Sequence, residues 1–147
     1  MIFNYTFQNI VNLKGNERTQ AEWMLSSALV KLQEEEQTLI ELEKFRNDTT
    51  EQLLLKIENS ASIVKIQELQ TYLEYLEQCI VRKNSDVRKA NVAVRKSQNH
   101  LSDKMLDEKV WLKSRDKAKD KFQHETLLRE QNELDEIATV RFAMNLR

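Results

Sequence analysis

The chain has 147 residues with 32% charged and 40% apolar side chains, no proline, one glycine (Gly15), and a net charge of −1. Strand-and-turn folds need breakers at regular intervals, so this composition excludes them and points to long amphipathic helices. A near-neutral chain has no general polyanion bias, and a single cysteine, Cys79, excludes an internal disulfide and suits a reducing compartment.

From the N-terminus, the pattern predicts a first helix over about residues 3–58. Leu25, Leu32, Leu39 and Leu53 share one phase of a seven-residue repeat, and Ala21, Ala28 and Leu42 share the other. Gly15 loosens this helix near its start, at about 1 kcal/mol relative to alanine. Trp23 falls at an outward position two residues before Leu25. It is either an exposed contact or, after a phase shift at Gly15, a buried one. The stretch ENSAS, Glu58–Ser62, favours a turn, because Asn and Ser side chains compete for backbone hydrogen bonds.

A second helix is predicted over about 63–145. Ile66, Leu73, Ile80, Val87, Val94 and Leu101 recur every seven residues, and Leu69, Leu76, Lys83, Ala90, Ser97 and Lys104 follow three residues behind each. Such a seam implies a left-handed coiled coil. The fold expected is all-α: one domain over 1–147, built as an antiparallel two-helix hairpin turning near 59–62. In that register residue i faces about residue 122 − i. Leu42 then meets Ile80, Val11 meets Trp111 and Lys14 meets Glu108, while Arg18 against Lys104 fits poorly. Met1 runs out opposite residue 121, leaving a C-terminal overhang of about 26 residues. There Leu134, Ile137 and Ala138 form an apolar stripe bordered by Glu130, Glu133, Asp135 and Glu136. A lone helix is marginal in water, so the overhang calls for another molecule to cover it.

Catalytic signatures do not assemble. His100 and His124 lack ligand-spaced neighbours, Cys79 lacks a base and an orienting third group, and one glycine cannot build a phosphate cradle. The expectation is therefore a non-enzyme with no cofactor, no metal and no small-molecule substrate. Residues 82–121 hold thirteen Lys and Arg against six acids. Interspersed acids and the lack of an aromatic platform argue against nucleic acid and for a solvated face or an acidic protein partner. No apolar run reaches the roughly 18 residues of a membrane span and no signal peptide is evident, so the location expected is the cytoplasm.

FNYTFQNIVNLKGNER, Phe3–Arg18, and EQNELDEIATVRF, Glu130–Phe142, resemble the opening and closing segments of the flagellar FliJ family, and the two-helix layout agrees along essentially the whole chain. The resemblance implies a component of the flagellar type III export apparatus, peripheral to it at the inner face of the cell membrane. It implies similarity to the central stalk of rotary ATPases, with three partners: a hexameric flagellar export ATPase, the cytoplasmic domain of a membrane export gate, and export chaperones. By that analogy Leu134, Ile137 and Phe142, with Phe3 and Phe7, face the ATPase, and Tyr72, Tyr75 and Leu76 face the gate. Phe3 and Phe7 could instead staple the open end of the hairpin. A stalk of this kind is monomeric when free; the alternative is a general coiled-coil scaffold or tether that self-associates.

Overall fold

The computed structural model describes residues 2–146. It contains two helices, α1 (Gln8–Glu58) and α2 (Ile63–Asn145), and no strand among the described residues. They pack against each other as an antiparallel coiled-coil hairpin. Their contacts cluster into two units, one of Gln20–Leu101 and one of the chain up to Thr19 together with the chain from Ser102 onward.

The Gln20–Leu101 unit contains the turn, and its hydrogen bonds explain why a glycine-free stretch can reverse direction. Ala61 N donates to Lys56 O at 3.0 Å and Ser60 N donates to Ile57 O at 3.3 Å. This is the pair of bonds that closes a Schellman C-cap. Ser60 sits in the left-handed region at φ 51°, where a glycine is usual. Ser62 then caps α2: its Oγ accepts from Lys65 N at 3.4 Å, and its carbonyl accepts from Ile66 N at 3.2 Å.

The seam in this unit is narrow. Ala21, Leu76, Ile80, Ala90 and Val94 are buried, and the seam leucines Leu25, Leu32, Leu39, Leu42, Leu53, Leu69 and Leu73 are partly covered. Two polar residues, Glu35 and Thr49, are buried with them. They occupy the same seven-residue phase as Ala21, Ala28 and Leu42, so the helix geometry turns them inward whatever their polarity. Glu35 accepts from Lys83 at 2.8 Å, which answers the polar lapse that Lys83 makes in the α2 seam. Arg46, also on a seam phase, lies 3.8 Å from Glu77.

In the other unit, α1 begins at Gln8, later than the residue 3 expected. Phe3, Tyr5 and Phe7 alternate, which is the period of extended chain rather than of helix. The segment runs as an arm up to Tyr5, turns at Thr6 and Phe7 into α1, and links its rings in a chain of tilted and edge-on contacts. Phe3 lies 5.5 Å from Phe122, Tyr5 lies 5.8 Å from Phe7, and Phe7 meets Trp111 edge-on at 6.0 Å. Tyr5 and Ser114 share a hydroxyl–hydroxyl bond of 3.0 Å. Val11 is buried behind them.

Charged layers complete that unit. Lys14 pairs with Asp107 at 2.8 Å, Lys104 reaches Glu17 at 3.4 Å, and Arg18 Nε donates to both Glu108 oxygens at 3.0 Å. The poor match of Arg18 with Lys104 is resolved because each turns to a carboxylate on the facing helix. Across both units the paired residue numbers add to between 118 and 126, close to the expected 122.

Candidate functional site

Two surfaces stand out. The first is the end of α2. Every described residue from Leu127 onward is exposed, although the helix continues to Asn145. Leu127, Leu134, Ile137, Val140, Phe142 and Met144 are each at least half exposed. Leu127, Leu134 and Ala138 fall four or seven residues apart, so they lie along one side, with Ile137 and Phe142 flanking them. The acids Glu130, Glu133 and Glu136 border this stripe. Each apolar side chain here would contribute roughly 1.5–3 kcal/mol if a partner buried it. That is the energy source an unpaired helix lacks on its own.

Phe3 and Phe7 do not extend the stripe freely. Both are engaged in the ring chain that ties the N-terminal arm to α2, Phe3 half-buried and Phe7 49% exposed. Thus they staple the arm, while Phe7 still offers an edge to solvent.

The second surface lies near the turn. Tyr72 and Tyr75 stack at 6.4 Å with their rings 27° apart, and both are exposed. The Cys79 thiol beside it holds the Tyr75 phenol above its ordinary pKa. Leu76, by contrast, is only 3% exposed. It is a seam residue, so it offers no surface of its own. An open groove lined by Leu55, Lys56, Ala61, Lys65, Leu69 and Tyr72 runs beside the turn.

Trp23 resolves as exposed, at 68%, with Met24 beside it. Cys79 is a free, half-buried thiol. Among the described residues no group of acidic, histidine or cysteine side chains is placed to hold a metal ion. No described helix is long and apolar enough to cross a membrane.

Two long helices packed as an antiparallel hairpin place the chain in the class of all-α coiled-coil proteins. Within that class, this chain belongs to the flagellar FliJ protein family, whose profile matches residues 3–147. Membership makes it a component of the type III export apparatus. The fold is also similar to a structure described as that of a YscO homologue, CT670, from Chlamydia trachomatis. The two share 16% identity and a TM-score of 0.76, with 98% of each chain covered. No curated protein sequence matches the chain.

Proposed function

We propose that the protein is a non-catalytic, stalk-like factor that promotes assembly and activity of the hexameric export ATPase and links it to the export gate and to export chaperones. The observation that carries this reading is the stripe of α2 from Leu134 to Met144, which is helical throughout while its apolar side chains lie exposed. An ATPase ring lumen is a surface able to cover such a segment. Leu134, Ile137 and Phe142 make the contact, with Phe7 at its margin and Phe3 anchoring the arm. The exposed pair Tyr72 and Tyr75 is the proposed gate contact.

The test is enzymatic. Trace amounts of the protein should promote hexamer formation and raise the turnover of the cognate export ATPase. Ile137→Asp places a charge on the stripe without touching the paired part of the hairpin, and should abolish the stimulation. Undiminished stimulation by that variant would refute the contact. The same stripe could instead zip two copies together, the scaffold reading. Sedimentation equilibrium separates them, since a stalk is a monomer when free and a scaffold is a stable dimer.

A further inference from the structure

Between Val81 and Asn99, α2 carries six Lys and Arg against one acid, Asp86. Two of these charges, Lys83 and Asp86, lie toward the seam, where Lys83 pairs with both Asp86 and Glu35. The other five, Arg82, Arg88, Lys89, Arg95 and Lys96, are all exposed. None of the five forms an ion pair with a described residue, whereas Lys14, Lys31, Lys83 and Lys104 all do.

Their spacing places them together. Arg82, Lys89 and Lys96 recur every seven residues, and Arg88 and Arg95 precede the last two by one. Relative to the seam residues Ile80, Val87 and Val94, these are outward heptad positions, so the five form one face pointing away from α1. The face runs about 21 Å along the helix at 1.5 Å per residue. Glu74 precedes it and Asp103 follows it, so the concentration of charge is confined to this stretch.

The chemistry of the occupant follows from what accompanies the charge. Protein interfaces are anchored by desolvated aromatic and large apolar side chains, with charge depleted at their centre. Within this face the only apolar side chains are Val81 and Val92, at 66% and 50% exposure. Sequence reading of nucleic acid needs a helix free to enter a groove, and single-strand binding needs aromatic platforms. Here α2 is held along its inner side by α1, and no aromatic lies between Val81 and Asn99. A flat sheet of phosphate headgroups needs neither an anchor nor a groove, only cations aligned on one side.

We propose that Arg82, Arg88, Lys89, Arg95 and Lys96 form a docking face for an anionic lipid surface. The attraction is electrostatic, so binding is weak for a single molecule, reversible and steeply dependent on salt. It does not depend on the ATPase reading, because none of the five residues belongs to the C-terminal stripe.

Vesicle co-sedimentation with the full chain tests it. The probes are phosphatidylcholine vesicles with and without roughly one-third phosphatidylglycerol, at about 50 and 500 mM NaCl, where the Debye length falls from beyond 10 Å to under 5 Å. The expected result is binding to the anionic vesicles alone, lost at the higher salt. Arg88→Glu with Arg95→Glu should weaken it at least about tenfold. Circular dichroism should show an unchanged melt, since both side chains are outside the seam. Lys117→Glu with Lys119→Glu, outside the face, serves as the charge control and should weaken binding much less. Equal binding to neutral vesicles would overturn the proposal. So would an equal loss in the control variant, or tighter binding to duplex DNA than to anionic vesicles at the same salt.

Discussion

Lys83 donates to Glu35 at 2.8 Å across the seam of the Gln20–Leu101 unit, with side chains 23% and 11% exposed. Both occupy positions that the heptad reserves for apolar residues. A polar pair there gives up burial energy but favours the single register in which the two meet. Removing one partner leaves the other in the seam with only a same-helix ion pair, Glu35 with Lys31 or Lys83 with Asp86. Glu35→Ala and Lys83→Ala should therefore each lower the thermal midpoint. Glu35→Leu combined with Lys83→Leu should recover the midpoint or exceed it. Antiparallel register, read by cross-linking cysteines placed at facing positions, should become less unique in that double variant.

The same pair sets a pH dependence. Hydrogen bonds from Lys31, first, and Lys83 hold the Glu35 carboxyl below its ordinary pKa. A carboxyl depressed on folding adds stability above its unfolded pKa and loses it as pH falls toward the folded value. Lys83 is raised chiefly by its bond to Glu35, and Lys14 by its bond to Asp107. Their contributions are complete below the ordinary lysine pKa and disappear as pH rises through the folded one. The thermal midpoint should be flat through neutrality and fall on both sides, in acid below the ordinary carboxylate range and in base above the ordinary lysine range. Glu35→Gln should flatten the acid limb, and an unchanged acid limb in that variant would contradict the assignment.

Much of this architecture can be read from the residues. The leucines of α1 and the aliphatic residues of α2 repeat every seven positions, and each named seam residue is at least partly covered. The unpaired end of α2 follows from the unequal lengths of the two helices. Glu35 and Thr49 were harder to see, because a hydropathy pattern reads polar residues as exposed even when the helix phase points them inward. The alternation of Phe3, Tyr5 and Phe7 carries the signal of a non-helical arm ahead of α1. Leu76 carried one too: its place in the seam already argued for burial, although its neighbours Tyr72 and Tyr75 suggested a surface contact. The ion partners of Lys14 and Arg18 lay beyond the pattern, since long side chains choose between carboxylates one position apart.

Ser60 holds a left-handed conformation that costs a side-chain-bearing residue energy, while the cap it closes requires that conformation. Ser60→Gly should stabilise the protein by about 0.5–1 kcal/mol, the relief exceeding the added freedom of the unfolded chain. Urea denaturation followed by circular dichroism measures this directly. A loss of stability would mean that the serine hydroxyl contributes more than the strain removes.

The end of α2 beyond Asn132, which carries Leu134, Ile137 and Phe142, takes no part in holding the hairpin together and serves a partner. A chain ending at Asn132, measured for its melting midpoint and for stimulation of the cognate export ATPase, tests this most directly. The expected result is a midpoint within about 2 °C of the full chain, because the described residues removed are all exposed, together with complete loss of stimulation. A large drop in the midpoint, or stimulation that survives the truncation, would contradict it.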